Sequence, residues 1–357
     1  MTWWHKLWPT NKLPVPFSET AVRQHRTLFF ERWPLANDNT PRPRWSLTSL
    51  HTPYPTATAA LQTHRHPAHR PPARSSLSLT EAFIIASTCF AQTQYEVYVA
   101  AGHTEWVKPL IGTDAVLVFE RLDTAALAAQ PLVAGDVILF SWQEQMVLHK
   151  LAAIQPTADH FHTHAGLAVP LTAVQSRLAA VFYTRSPVLL DEVPPRQPHQ
   201  AAVQVDAWHE SLLAPLVPAN KPTPHSAISL SNGEKRLDWA LLRQLLRDYN
   251  GDVWRTIANT NSMEPFVDAT TALPFERISP EAIAKQPLVV GDIVNWGTPQ
   301  VGRLHRLIGR GPQAAFYIIG DNNGSVDQLH GREQIHTAEI RHRVIGIIFT
   351  RQQIVDD

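Results

Sequence analysis

The sequence is poor in cysteine, since Cys89 is the only one in a chain of 357 residues. A single cysteine excludes an internal disulfide, so the thiol content does not distinguish an oxidising from a reducing compartment. We expect Cys89 to be a small, buried apolar side chain.

The chain also lacks net charge. Lys and Arg together number 31, Asp and Glu together number 31, and the formal net charge is zero. Proteins that bind nucleic acid normally show an excess of positive charge, because phosphate contacts are made by cations. Nucleic acid is therefore not expected as an obligate partner.

Long apolar runs are missing as well. No stretch approaches the roughly 18–20 apolar residues that cross a bilayer, and the N-terminus has no signal-peptide hydrophobic region. We therefore expect no transmembrane anchor and a cytoplasmic location. Trp3, Trp4 and Trp8 leave open a peripheral contact with a membrane interface, although packing against the domain accounts for them more simply.

Histidines are frequent, but they form no recognisable ligand set. The two clusters are His64, His66 and His69, and His160, His162 and His164. The second cluster alternates as strand residues do and would share one face, yet no carboxylate or cysteine completes a metal site. We expect neither a metal nor a cofactor.

The chain contains an internal repeat. Residues 119–138 read FERLDTAALAAQPLVAGDVI, residues 275–294 read FERISPEAIAKQPLVVGDIV, and 11 of these 20 positions are identical at an offset of 156. The same offset aligns His149 with His305. Further on, RLAAVFYTR from Arg177 is similar to RVIGIIFTR from Arg343. A period of this length indicates two copies of one domain rather than a solenoid.

The repeat and the composition divide the chain into four parts. Residues 1–75 are rich in Pro and His and are expected to be irregular. Residues 76–186 hold the first copy and residues 227–357 the second. Residues 187–226 between them are predicted to be an extended, proline-rich linker. Each copy is predicted to be a mainly β domain preceded by a helix.

Local patterns place several elements. A helix is expected to open at Thr80-Glu81-Ala82. In the second copy a capping box at residues 231–234 would start a helix, with an apolar face formed by Leu237, Leu241, Leu245 and Tyr249. Strands are expected at residues 288–295, 302–308, 315–319 and 344–350.

Four polar residues near the C-terminus stand in an order that suits acyl transfer. They are Ser262, in Asn261-Ser262-Met263-Glu264-Pro265, then His305, Asp321 and Asp327. A hydroxyl that attacks, an imidazole that takes its proton and a carboxylate that orients the imidazole are the groups that this chemistry needs. Taken alone, each residue is more simply a turn or strand residue.

The two copies differ where this chemistry would lie. At the offset of 156, Trp106 replaces Ser262, and Gly166 stands where the second copy has Asp321. About ten residues that include Asp327 have no counterpart in the first copy. We therefore expect an active second copy and a catalytically inactive first copy, which is a pseudoenzyme domain.

The ordered motifs resemble those of the type I signal peptidase superfamily, in its Ser-His-Asp branch. The matching residues are Ser262-Met263-Glu264-Pro265, Gly291-Asp292, His305-Arg306, Gly320-Asp321-Asn322-Asn323, Asp327 and Gly346. The resemblance covers roughly residues 250–350, with a degenerate copy over residues 95–185. It implies two tandem β domains like those of signal peptidases and repressor autoproteases.

The resemblance also implies roles for individual residues. Ser262 would be the nucleophile and His305 the general base, with Asp327 and the nearby Asp321 orienting the imidazole. Backbone groups around Asn261 and Met263 would form the oxyanion hole and contact the substrate. The substrate would be a peptide or protein, held as an extended strand at a sheet edge, and the protein would be a serine endopeptidase.

The chain departs from the family in two ways. A segment with a helical pattern at residues 280–285 is inserted between Pro265 and Gly291, and no membrane anchor is expected. Cleavage of a leader peptide or of the chain itself is therefore considered beside signal-peptide removal. Two alternatives remain: a non-catalytic peptide-binding module of the same fold, and a self-cleaving regulator, which is disfavoured because no DNA-binding head is recognisable.

Overall fold

The structure, a computed structural model, describes residues 27–30, 72–102, 107, 109–112, 114–142, 145–154, 160–163, 168–185, 220–230, 236–255, 257–258, 260–297, 302–310, 315–323 and 335–351. Within these ranges the protein has sixteen strands and four α-helices. The prediction of a mainly β protein with a few helices is confirmed.

The first half holds eight strands and two helices. The strands are β1 Thr27–Phe30, β2 Tyr95–Gly102, β3 Val116–Arg121, β4 Val137–Trp142, β5 Gln145–Ile154, β6 His160–Thr163, β7 Ala168–Pro170 and β8 Val174–Phe182. The helices are α1 Leu79–Cys89 and α2 Thr124–Ala129. Strand β1 lies in the segment that was expected to be irregular.

The second half holds another eight strands and two helices. The strands are β9 Gly251–Trp254, β10 Thr271–Arg277, β11 Ile293–Gly297, β12 Gly302–Arg310, β13 Ala315–Ile319, β14 Ile335–His336, β15 Ile340–Val344 and β16 Gly346–Phe349. The helices are α3 Trp239–Arg247 and α4 Pro280–Lys285.

Most of the predicted elements are present, with shifted ends. Helix α1 begins after Ser78, whose hydroxyl accepts from the Glu81 N–H in a capping box. Helix α3 is capped by Asp238, and residues 231–234, where a capping box was predicted, lie outside the described residues. Its buried residues are Trp239, Leu242 and Leu246, so the buried face is rotated from the predicted one.

All strands belong to one sheet, which runs without a break from one half to the other. Strand β8 pairs with β3 and β4 of its own half and also with β16 of the second half. The β8–β16 pair is antiparallel and sets Val181 opposite Ile347. The two halves are thus joined by backbone hydrogen bonds at the centre of the sheet.

From α1 and α3 onward the elements of the two halves follow the same order, except that the one strand β8 corresponds to β15 and β16 together. Strands β2 and β9 begin at residues 95 and 251, and helices α2 and α4 begin at residues 124 and 280, an offset of 156 in both cases. Gly135 and Gly291 both have a positive φ, 100° and 108°, in the turn before β4 and β11. Glycine adopts this conformation without the strain that a side chain would cause.

Two hydrophobic clusters lie on opposite faces of the sheet, and each contains residues of both halves. The helix-side core includes Phe83, Phe90, Val116, Val118, Leu242 and Ile348. The site-side core includes Leu117, Phe119, Val181, Met263, Phe266 and Ile347. The alternation of residues 116–119 between the clusters follows from the strand period of two. Cys89 is buried in the helix-side core, and this burial raises the pKa of its thiol.

Buried ion pairs explain why the repeat retains certain polar residues. In the first half, the Arg177 guanidinium lies 2.9 Å from Glu120 and 3.6 Å from Asp136. In the second half, Arg343 lies 2.7 Å from Glu276 and 3.4 Å from Asp292. These side chains are inaccessible or nearly so. Buried charges require such partners, so the Phe-Glu-Arg and Gly-Asp motifs are structural.

The same glutamates join the halves. The Ser76 N–H donates to Glu276 at 2.9 Å, and the Ala227 N–H donates to Glu120 at 3.1 Å. Residues 223–226, at the end of the predicted linker, are buried, and the Ser226 hydroxyl donates to the Phe349 carbonyl at 2.6 Å. Each half therefore accepts a backbone hydrogen bond from a segment of the other half. The domain boundaries drawn from the sequence stay a prediction.

No helix in the described part of the chain is long and apolar enough to cross a membrane. The tryptophans of interest at the N-terminus, Trp3, Trp4 and Trp8, lie outside the described residues, as do His64, His66 and His69.

Candidate functional site

Ser262 lies in a turn between β9 and β10 that is anchored in the site-side core. Met263 and Phe266 are both 4% exposed and pack in that core. Asn261, which precedes the serine, has a left-handed φ of 57°, a conformation that Asn adopts more readily than most residues. Ser262 itself is half-buried, and its Oγ lies 2.9 Å from Thr260 Oγ1.

The serine turn is held against a second turn, Gly320 to Asn322. The Asn322 N–H donates to the Ser262 carbonyl at 2.9 Å, and its side-chain amide donates to the Asn261 carbonyl at 2.9 Å. A Cβ at Gly320 would lie 2.4 Å from the Ser262 carbonyl oxygen. This close approach requires glycine, so Gly320 and Asn322 fix the position of the Ser262 backbone.

His305 lies on β12 beside the same second turn. The register pairs Arg306 of β12 with Ile319, the last residue of β13, so His305 lies across from the Gly320 position. Paired strands are about 4.8 Å apart. The register therefore places the His305 backbone across from Gly320, against which the Ser262 carbonyl packs. The imidazole is 8% exposed, and its ring centre lies 5.5 Å from that of Trp296.

Asp321 is engaged by Arg306. The Arg306 Nε donates to Oδ1 at 2.8 Å, Nη2 donates to Oδ2 at 2.7 Å, and Nη1 donates to the Gly291 carbonyl at 2.8 Å. Both side chains are fully buried. Burial lowers the pKa of Arg306, but Asp321 more than offsets this, so that pKa lies above its ordinary value. The pair fixes the second turn, and both oxygens of Asp321 are bound by a residue other than His305.

The other predicted site residues are placed as follows. Asp327 lies outside the described residues, as does Trp106, the first-half counterpart of Ser262. Within the described chain, no acceptor is found for the backbone N–H of Met263. The N–H directly after a nucleophile is the position of an oxyanion-hole donor, and this role of Met263 stays a prediction.

Glu264 and Lys150 are site neighbours that the sequence did not identify. Glu264 is 2% exposed and accepts from the Lys221 N–H at 2.6 Å, and burial raises its pKa. Lys150 reaches over from the first half, with its Nζ 5.4 Å from the centre of the Phe266 ring. Burial and the charge of Lys221 lower the pKa of Lys150 to about 8. The first half thus contacts the serine turn directly.

The internal repeat contained a sequence signal for Lys150. At the offset of 156, Lys150 corresponds to Arg306, so both copies have a cation directly after the histidine. In one copy the cation binds Asp321, and in the other it lies against the serine turn of the partner half. The corresponding histidine, His149, is 1% exposed, with Nδ1 2.9 Å from the Lys150 carbonyl.

The described residues contain no group of three or more His, Cys, Asp or Glu side chains that could hold a metal ion. His160 is exposed and His162 is half-buried on β6, whereas His164 lies outside the described residues.

Comparisons with family models, with curated proteins and with solved structures gave no match to this chain.

Proposed function

We propose that the protein is a serine endopeptidase with one active site, in the second half, and that it is a member of the signal peptidase superfamily. One observation supports this most strongly: Ser262 and His305 flank Gly320, and the Ser262 backbone is fixed there by Asn322. A nucleophile in a fixed turn with a base on a neighbouring strand is an arrangement that suits acyl transfer.

In the proposed reaction, His305 removes the Ser262 proton as Oγ attacks the scissile carbonyl. The Met263 N–H stabilises the oxyanion, a contribution that is about 3–4 kcal/mol for one donor. His305 then gives the proton to the leaving amine, and water hydrolyses the acyl-enzyme. We assign the orienting carboxylate to Asp327, as the resemblance implies, because the bidentate pair with Arg306 gives Asp321 a structural role of its own.

We further propose that the halves arose by tandem duplication and that the first half is a pseudoenzyme domain. The matched order of elements and the matched Glu–Arg–Asp ion pairs support this. In this proposal the first half supports the active site through Lys150 and the shared core, and its loss would unfold the second half.

Peptide cleavage tests the proposal. The purified full chain is incubated with a library of extended leader-type peptides that have small residues at central positions, and products are read by mass spectrometry. Ser262→Ala should abolish cleavage and leave the thermal transition unchanged. Ser141→Ala, at a half-buried serine on β4, is the matched control and should cleave normally. Equal cleavage by wild type and Ser262→Ala would contradict the proposal.

A non-catalytic peptide-binding module is the second candidate, and one observation favours it. Strand β1 already lies as an added strand along β2, so the fold accepts extended peptides at its edge. Saturable peptide binding without any cleavage would select this candidate over the peptidase.

A further inference from the structure

Residues 221–227, which we call the crossing segment, contact both halves. Three of their backbone N–H groups donate to carboxylates that are at most 2% exposed, by the pairs Lys221–Glu264 at 2.6 Å, His225–Asp136 at 2.8 Å and Ala227–Glu120 at 3.1 Å. The intervening residues Pro222 and Pro224 have no N–H that would need a partner. The sequence of the crossing segment therefore suits a backbone that binds several buried carboxylates at once.

The first half holds the crossing segment in place. Asp136 and Glu120 also bind Arg177, in the buried ion-pair cluster of that half. A Cβ at Gly135 would lie 2.6 Å from the Pro222 carbonyl carbon, so the two backbones are closely packed there. Because breaking a buried ion pair is strongly destabilising, this cluster makes the crossing segment a firm support for what it contacts in the second half.

Glu264 is the point at which the crossing segment contacts the serine turn. It follows Ser262 by two residues, and its own N–H donates to the Asn261 carbonyl at 3.4 Å. The side-chain amide nitrogen of Asn322, which donates to the same carbonyl, lies 3.5 Å from the Glu264 oxygen that accepts from Lys221. A single carboxylate oxygen thus joins the crossing segment to both turns of the candidate site.

The first copy of the repeat has no carboxylate at this position. At the offset of 156, Glu264 corresponds to Lys108, just as Ser262 corresponds to Trp106. Both copies retain the glutamate of the Phe-Glu-Arg motif and the aspartate of the Gly-Asp motif. Glu264 therefore differs between the copies together with the serine, whereas the carboxylates of the shared scaffold do not.

We propose that Glu264 is a positioning residue for Ser262, because its carboxylate fixes the serine turn to the crossing segment and thereby to the first half. This inference rests on the proposed function, since it concerns the alignment of the proposed nucleophile. Glu264 acts through the Ser262 backbone and takes no part in the making or breaking of bonds. A shift of about 1 Å in a reacting group can slow a reaction about a hundredfold.

Two pairs of variants in the full chain test the contact from its two sides. Lys221→Pro removes the donating N–H, whereas Lys221→Ala keeps it, and the Lys221 side chain is exposed. Glu264→Ala removes the acceptor, whereas the amide oxygen of Glu264→Gln can still accept. The rate at which a fluorophosphonate labels Ser262 is measured well below each thermal transition.

We expect Lys221→Pro and Glu264→Ala each to slow labelling at least about tenfold. Lys221→Ala and Glu264→Gln should be labelled at close to the wild-type rate, which a loss of packing alone would not restore. The double variant Lys221→Pro/Glu264→Ala should be no slower than the slower single variant, because both changes remove the same hydrogen bond. If Lys221→Pro does not fold, the comparison of Glu264→Ala with Glu264→Gln decides.

Hydrogen exchange of residues 261–267, followed by mass spectrometry, separates this inference from the proposed function. Exchange should be faster in Glu264→Ala than in Glu264→Gln, whether or not the protein is labelled. A labelled wild type with equal labelling rates in all variants would overturn the positioning role and leave the peptidase. An unlabelled wild type would remove the peptidase; faster exchange in Glu264→Ala would then still support the contact, and equal exchange would overturn it.

Discussion

Replacing Asp321 by Asn should destabilise the protein rather than only slow its chemistry. Asp321 was expected from the sequence to help orient His305, yet both of its oxygens accept from Arg306 at 2.8 and 2.7 Å. The substitution keeps the shape of the side chain but removes the carboxylate that is hydrogen-bonded to the buried Arg306 cation. It thereby separates a structural carboxylate from a catalytic one.

The magnitude follows from the burial of the pair. Both side chains are fully inaccessible, and removing one partner of such a pair typically costs about 3–5 kcal/mol, because the other charge stays buried. At about 1–2 °C for each kcal/mol in a chain of this size, because the entropy of unfolding grows with length, the melting temperature should fall by roughly 3–10 °C. The double variant Arg306→Met/Asp321→Leu should regain most of the stability, since apolar replacement of a buried pair is often neutral.

Circular dichroism monitors thermal and urea unfolding of each variant. A second assay measures the rate at which a fluorophosphonate labels Ser262. Asp327→Asn is the matched comparison and should slow labelling strongly with little change in melting temperature. An Asp321→Asn protein that melts within about 2 °C of wild type but is not labelled would contradict a structural role, because it would place Asp321 in the chemistry instead of in the scaffold.

Three further predictions concern Lys150, Gly320 and the buried arginines. Burial lowers the pKa of Lys150 from its ordinary 10.5 to about 8, so the unfolded chain binds more protons than the folded chain between these pH values. The free energy of unfolding should therefore rise with pH across this window, by about 3 kcal/mol from this group. Lys150→Met should remove that rise when urea unfolding is compared at pH 7 and pH 10. Gly320→Ala should slow fluorophosphonate labelling at least tenfold, because the new Cβ would lie 2.4 Å from the Ser262 carbonyl oxygen. Gly309→Ala is the control and should label at the wild-type rate, since its new Cβ would lie 3.4 Å from the nearest atom, in the Tyr317 ring. Equal labelling rates for the two variants would contradict the close contact between Gly320 and the serine turn. Arg177→Met and Arg343→Met should each lower the free energy of unfolding by about 3–5 kcal/mol. Calorimetry should show a single cooperative transition for each variant, and two separate transitions would show that the halves unfold independently.

The fold class could be predicted because it depends on local patterns. Short apolar runs bounded by Gly, Asp or Asn located β12 and β13 well, and the Ser78–Glu81 capping box fixed the start of α1. Strand β1 could not be found, because four apolar or β-branched residues are too few for periodicity to distinguish a strand from a loop. Its place depends on pairing with β2, which is distant in sequence.

The pairing of the two halves in one sheet could not be predicted from the sequence. Two copies separated by a proline-rich segment predict two domains, whereas β8 and β16 pair and both cores are shared. The repeat nevertheless contained part of the answer. Glu120 and Glu276 stand at matching positions of the repeat, and each is buried with an arginine and also receives a hydrogen bond from the other half.

The roles of Ser262, His305 and Asp327 stay predictions from the ordered motifs, whereas the contacts around them come from the fold. The strand register sets His305 across from Gly320, against which the Ser262 carbonyl packs. The Arg306–Asp321 pair could not be deduced from spacing, because His305 and Arg306 are adjacent and only the strand decides which of them faces the carboxylate. The contact of Lys150 with the serine turn depends on the packing of one half against the other.

Covalent labelling of the native full chain by a fluorophosphonate, with the modified residue identified by peptide mass spectrometry, is the sharpest test of the proposed Ser262–His305 site. We expect one labelled residue, Ser262, with labelling lost in Ser262→Ala and His305→Ala and retained in Ser141→Ala. A folded protein that stays unlabelled, or that is labelled at another serine, would contradict it.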